Sequence, residues 1–216
     1  VFVDIEESSW CLCPRAFEAA ITENTKAVVV VDLFGNMPNM GEILRIAQTH
    51  NIQVIEDAAE GLGATYKGRP SGSFGEVSLF SFSPTKLITA GQGGVFATDD
   101  FDLFEKAKYF AHHGIYKKPG EPYYWSHCLG YNYNWTNMQA ALALAQFRRI
   151  DALIQKKHDV FHGYKQHLSS LKGCFLNQQL IDVKPTYWIS VAIMSEQYGL
   201  NKEQYCDEFL QRSIDM

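Results

Sequence analysis

Two short segments of this 216-residue chain carry side chains that could do chemistry together. In Ile55-Glu56-Asp57-Ala58-Ala59-Glu60-Gly61 an acid stands where an apolar run ends, and ligands of open α/β sheets collect at the carboxyl ends of strands. In Ser81-Phe82-Ser83-Pro84-Thr85-Lys86 a lysine follows a second apolar run and precedes the turn Gly91-Gln92-Gly93-Gly94. That setting puts Lys86 on the same crevice as Asp57. Taken singly, Asp57 also fits a helix N-cap or a solvated loop acid, and Lys86, one of 13 lysines, also fits a surface charge. Ser81 brings a hydroxyl suited either to a phosphate oxygen or to capping a local backbone group.

An amine and a carboxylate on one crevice meet the two needs of pyridoxal phosphate chemistry. The lysine holds the cofactor aldehyde and later moves a proton between carbon atoms, and the acid keeps the ring nitrogen protonated so that the ring can accept electrons. The cationic ring in turn favours the ionised acid.

Those residues need a scaffold, and the apolar pattern supplies one. Short β-branched runs alternate with amphipathic stretches, which is the pattern of parallel βα units. Strands are predicted near Val1 to Ile5, Ala27 to Val31, Gln53 to Ile55, Val77 to Ser81 and Gly94 to Ala97. Helices are predicted near Pro14 to Ile21, Met40 to His50 and Phe101 to Ala111, with Pro14 suited to a first helical turn. A loop rich in Gly, Pro and aromatic residues runs from His112 to Trp135. Asn137 to Leu171 is helical in composition, either one long helix or two in line, with Ala141, Leu144, Ala145 and Phe147 spaced for one buried face. A strand near Tyr187 to Met194 and a helix near Asn201 to Ser213 then suggest a second, small α+β domain that is cut short. The abrupt start at Val1 and the abrupt end at Met216 read as those of an interior fragment, with no leader before the first strand.

The ordered motifs Glu56-Asp57-Ala58-Ala59-Glu60, Lys67-Gly68-Arg69-Pro70-Ser71-Gly72-Ser73-Phe74-Gly75, Phe80-Ser81-Phe82-Ser83-Pro84-Thr85-Lys86, Gly93-Gly94 and Leu129-Gly130-Tyr131-Asn132-Tyr133 resemble the DegT/DnrJ-type nucleotide-sugar aminotransferases, the perosamine-synthase-like kind. The separation of 29 residues between Asp57 and Lys86 fits as well. The resemblance covers nearly the whole chain. It implies an α/β fold of the type I pyridoxal-phosphate transferases: a large domain of mostly parallel sheet with flanking helices over residues 1–135, then a connecting helix and a partial small domain over 136–216. It further implies amino transfer from glutamate to a keto nucleotide-sugar, at C4 rather than C3, by a homodimer whose subunits share active sites. In that pattern Lys86 resembles the Schiff-base lysine, Asp57 the ring-nitrogen partner, Glu60 a side chain beside the ring, and Ser81 a phosphate ligand. Asn132 resembles the asparagine that reaches the neighbouring subunit's phosphate, and it equally fits a loop turn. Related sugar 3-dehydratases carry His in place of this lysine, so Lys86 favours transfer over dehydration. The rival reading is a truncated or non-catalytic subunit of this fold that acts as an interaction protein. Gln92, Asn134 and Trp135 depart from the family's usual residues. The family also has a leading portion, whose helix N-terminus binds the cofactor phosphate, and a closing portion of the small domain, and neither is in this sequence.

Composition narrows the partners. The 24 acids and 19 bases are mixed along the chain for a net charge of −5, so no basic stripe offers itself to nucleic acid or anionic lipid. No apolar run reaches the length of a membrane span, and Val1 to Glu7 lack the regions of a signal peptide, so a cytoplasmic protein is expected. Five scattered cysteines make no disulfide framework, and Cys11-x-Cys13 lacks the further ligands of a metal site. Of the adjacent His112 and His113 at most one is expected to be functional, since neighbours point apart. Tyr123, Tyr124, Trp125, Tyr131, Tyr133 and Trp135 form an aromatic-rich loop suited to stacking on a base or to packing at an interface.

Overall fold

The computed structural model describes residues 1–115, 120 and 125–214. Its elements in chain order are α1 (Pro14–Ala20), β1 (Ala27–Val31), α2 (Met40–Thr49), β2 (Gln53–Asp57), β3 (Thr65–Tyr66), β4 (Arg69–Pro70), β5 (Val77–Ser81), β6 (Gly94–Ala97), α3 (Phe101–Ala111), α4 (Asn137–Phe147), α5 (Ile150–Leu168), β7 (Cys174–Leu176), β8 (Val183–Lys184), β9 (Ala192–Met194) and α6 (Lys202–Gln211). The main sheet has the order β1-β2-β5-β6. Its first three strands run parallel and β6 closes it antiparallel, so the sheet is mostly but not wholly parallel.

Alternation along the strands decides which acid is structural and which is available. Val28, Val30, Val54 and Glu56 point into one buried layer. There they meet α2, whose Met40, Ile43, Ile46 and Ala47 recur at helical spacing and are buried. The cross-strand partners Val31, Asp57 and Leu79 share the opposite face, where Leu79 is 40% exposed. Asp57 therefore sits on the open face and Glu56 in the core, although they are neighbours in the chain. The start of α2 is fixed by Asn39, whose side chain accepts from the Glu42 N–H at 3.2 Å.

Thr136 and Gln139 form a reciprocal capping box at the start of α4. The expected helical stretch is two helices, because Arg149 leaves helical geometry between α4 and α5. The expected buried face of Ala141, Leu144, Ala145 and Phe147 is corrected: all four are exposed, and α4 turns Ala143 inward against Phe82 and Ile88 instead. β7 and β9 pair antiparallel as the second small sheet. β8 instead pairs with β3, which seats Val183 against Tyr66 in the core beneath the main sheet.

Two expected strands are corrected. Val1 to Ile5 is not a strand: Ile5 makes only an isolated bridge to Leu12, and Val1 and Phe2 are fully exposed. The chain instead turns back, with Trp10 N–H donating to Glu6 O at 2.8 Å, and among the described residues this apolar run pairs with no neighbouring strand. Tyr187 to Met194 is a strand only from Ala192 onward, because Tyr187 takes a left-handed conformation at φ 49° that extended pairing cannot use.

Candidate active site

Parallel pairing brings the carboxyl ends of β1, β2 and β5 to one edge of the sheet, and the candidate residues gather there. Asp57 ends β2. Its Oδ1 accepts from Ala59 N–H at 3.1 Å, a local turn bond, and among the described residues its other oxygen has no hydrogen-bond partner. Glu60 follows in the same turn. Its Oε2 accepts from Phe34 N–H at 2.8 Å, and its Oε1 lies 3.3 Å from Lys86 Nζ. Lys86 is carried by the turn after β5, closed by its own N–H donating to Ser83 O at 3.1 Å. Side-chain exposures of 15% for Lys86 and 20% for Glu60 make this a sheltered pair, distinct from the surface ion pairs such as Arg45 with Glu42. The ammonium also sits 4.1 Å from the centre of the Trp188 ring.

Beneath this edge lies a second set of acids. Glu56 is fully buried and accepts from the N–H groups of Gly72 and Phe74, each at 2.7 Å, so it anchors the 71–75 loop. Asp32, also fully buried, is hydrogen-bonded through Oδ2 to Ser71 Oγ, while its Oδ1 is buried without a partner. Burial first, and then the charge of Glu56, holds the Asp32 carboxyl well above the ordinary carboxylate range. A carboxyl raised in this way binds more protons folded than unfolded, so stability falls as the pH climbs out of the ordinary carboxylate range toward its folded value. Asp32→Asn should remove that fall. Urea midpoints taken from about pH 4 to about pH 8 should show a slope smaller by up to about 1.4 kcal/mol per pH unit than in the unaltered chain. An unchanged slope would show that Asp32 ionises normally.

The predicted residues separate into those the fold brings together and those it does not. Lys86 and Glu60 are in contact, and Asp57 ends the neighbouring strand on the open face. Ser81 ends β5, and its hydroxyl accepts from Ser83 N–H at 3.4 Å, the local capping role that its residue type allowed. Asn132 is exposed and bridges to His112 through the backbone, and no contact joins it to Lys86. The His112 and His113 rings lie 5.8 Å apart, and His112 Nδ1 is 3.1 Å from Asn134 Nδ2. Tyr131 and Tyr133 stack at 5.0 Å, and Trp135 packs edge-on against Phe82. Tyr123 and Tyr124 of the aromatic loop lie outside the described residues.

Among the described residues no cluster of His, Cys, Asp or Glu has the arrangement of a metal site. The five cysteines are free, and burial pushes the Cys11 thiol up to about 12. Sequence reasoning missed Trp188, Asp32 and Ser71. Nothing local marks Trp188, which reaches the site from 102 residues beyond Lys86. Asp32 had a signal, since it follows β1 as Asp57 ends β2.

These donors fit a phosphorylated pyridine aldehyde: a sheltered amine, a carboxylate with one oxygen unengaged on the open face, and a hydroxyl at the adjoining strand end. With the sheet order, they define the class of pyridoxal-phosphate aminotransferase folds. The chain belongs to the DegT/DnrJ/EryC1/StrS aminotransferase family, whose sequence pattern matches residues 1–216.

GDP-perosamine synthase of Escherichia coli O157:H7 is 37% identical over 189 residues, covering 88% of this chain and 50% of that protein. The putative pyridoxal phosphate-dependent aminotransferase EpsN of Bacillus subtilis is 37% identical over 179 residues, 80% of this chain and 45% of that protein. Among solved structures, Helicobacter pylori PseC, an aminotransferase involved in the biosynthesis of pseudoaminic acid, superposes with a TM-score of 0.91 at 27% identity, covering 98% of this chain and 57% of that one. The chain thus spans about half the length of the curated relatives it matches. Among the described residues no helix is long and apolar enough to cross a membrane.

Proposed function

We propose that the whole protein transfers an amino group from glutamate to a keto nucleotide-sugar, at C4 rather than C3, with pyridoxal phosphate held at Lys86. The observation that carries this reading is the sheltered Lys86 amine, 3.3 Å from Glu60 and on the same sheet edge as Asp57. When bound, the cofactor supplies an aldehyde to capture amines and a ring that accepts electrons. Lys86 is the covalent anchor and, once displaced, the base and acid that carries the proton at the reacting carbon. Asp57, with one oxygen unengaged on the open face, would hold the ring nitrogen, where a carboxylate charge favours the protonated form. Glu60 holds the amine in place before loading, and Ser81 turns its hydroxyl from Ser83 to a phosphate oxygen. Asn132, exposed on its loop, serves the phosphate of a second subunit in a homodimer.

The same reading divides the chain into residues 1–135 of a cofactor-binding domain and 136–216 of a connecting helical region and partial small domain. The names of the relatives support the substrate class, because one makes a GDP-linked amino sugar. The test uses the full-length protein with added pyridoxal phosphate. A visible absorbance band should appear, glutamate should bleach it, and the loaded protein should then add nitrogen to a keto nucleotide-sugar, read by mass. A colourless protein, or a band that glutamate leaves unchanged, would overturn the reading.

A further inference from the structure

The contact between Lys86 and Trp188 is built by a strained piece of backbone. Trp188 is 7% exposed, and its Nε1 donates to Thr85 O at 2.8 Å, which fixes the plane of the indole beside the neighbouring lysine. Tyr187, just before it, is left-handed at φ 49°, a costly conformation for an aromatic residue that persists only where its surroundings impose it. Those surroundings are present. The Tyr187 ring stacks on Phe161 of α5 at 3.7 Å and 6°, with His158 edge-on at 5.4 Å, and His158 Nε2 lies 2.9 Å from Pro185 O. On the other flank Thr186 N–H donates to Gly35 O at 2.8 Å. Gly35 is itself left-handed at φ 83°, and a Cβ there would come within 2.7 Å of Trp188 N. The strap thus runs from α5 to the turn after β1, and its one aromatic face against a cation is the face against Lys86.

We infer that Trp188 is a positioning residue for the Lys86 amine, which its indole face and the Glu60 carboxylate together clamp at the strand-end edge of the sheet. This rests on reading Lys86 as the reactive amine. A tryptophan that only filled the core would need neither an ammonium at its face nor a left-handed residue to aim it. The clamp has two consequences of opposite sign. The ring shields the amine from small reagents, and it holds the amine where a cofactor aldehyde arrives. Loosening it therefore speeds indiscriminate reaction of Lys86 and slows the specific one.

The experiment compares Trp188→Leu and Trp188→Phe in this chain. Acetylation of Lys86 by acetic anhydride, mapped by mass spectrometry and referred to the exposed Lys108, should rise roughly three- to tenfold in Trp188→Leu, the scale of a desolvated cation–π contact. Borohydride-trapped pyridoxyl on Lys86, at limiting pyridoxal phosphate, should fall by a similar factor. Trp188→Phe keeps an aromatic face and should restore both. Two rates that move in the same direction, or an unchanged acetylation ratio, would overturn the inference.

Lys86→Met decides the matter should Trp188→Leu unfold. It removes the cation with little change of shape, so tryptophan emission should shift, and the shift should vanish in a Trp188→Phe background. No shift in Lys86→Met with Trp188 in place, or a shift that persists without Trp188, would also overturn the inference. An absence of any pyridoxyl label in the unaltered chain would count against the proposed function alone, because the acetylation ratio reads Trp188 without cofactor.

Discussion

Lys86→Ala should abolish the borohydride-fixed pyridoxyl label on the peptide from Ser81 to Gly94 and leave sugar products without nitrogen. The fall in turnover should reach at least the roughly 10²–10⁴-fold that a positioned proton carrier is worth, because the same amine is also the covalent anchor. The fold should survive. Glu60 keeps its bond from Phe34 N–H at 2.8 Å after the amine is gone, and the Lys86 turn is closed by backbone and not by its side chain. Lys67 is the competitor by position, since it lies between Asp57 and Lys86. It is, however, 61% exposed, left-handed at φ 51° and paired with Asp182 at 3.5 Å, all properties of an outer turn. Peptide mapping separates the two lysines directly. A label on Lys67, or full activity in Lys86→Ala, would remove the central residue of the proposed mechanism.

What could be read in advance followed physical scale. β1, β5 and β6 are bounded as their apolar runs predicted, and in β1 the inward Val28 and Val30 are the β-branched residues that a half-buried strand favours. The α2 helix likewise declares itself through Met40, Ile43, Ile46 and Ala47. The placement of Lys86 and Asp57 was legible because Asp57 ends β2 and Lys86 follows the end of β5, and parallel pairing brings those two strand ends to one edge. The pattern at Val1 to Ile5 misled for the complementary reason. Alternation reports which residues could be inward, but a strand also needs a neighbour to take its N–H groups, and here the chain bends back after Ile5.

The partners of the site were hidden because they depend on distant pairing. Trp188 reaches Lys86 only after β8 pairs with β3 and α5 holds Tyr187 in place, and no local pattern encodes either contact. The different fates of Glu56 and Asp57 were also unreadable from composition. Both are acids at one strand end, and only the register with β1 and β5 shows that Glu56 faces α2 while Asp57 faces outward. Asp32 illustrates the same limit, since its partner Ser71 lies 39 residues away in a loop that Glu56 anchors.

Asp57→Asn tests the electrostatic half of the site with the least disturbance to the fold. The amide oxygen can still accept from Ala59 N–H, as Oδ1 does at 3.1 Å, so the turn that carries Glu60 should hold. Asn is also nearly the size of Asp, and the face it occupies is open. Cofactor should therefore still bind, and Lys86 should still take the pyridoxyl label. What the amide lacks is charge. A neutral partner cannot keep a ring nitrogen protonated, so the ring loses much of its capacity to accept electrons when the proton leaves the reacting carbon. Removal of one such preorganised partner typically lowers turnover by about 10²–10³-fold. Single-turnover bleaching of loaded protein by glutamate should slow by that factor while the amount of cofactor bound changes little. Loss of cofactor in equal measure would make Asp57 a binding residue only, and a normal rate would move the ring-nitrogen role to another acid. Asp32 is the nearest candidate by strand order, yet it is fully buried, and that burial raises its pKa and disfavours its charged form, which leaves Asp57 on the open face as the strand-end acid placed to hold a cation.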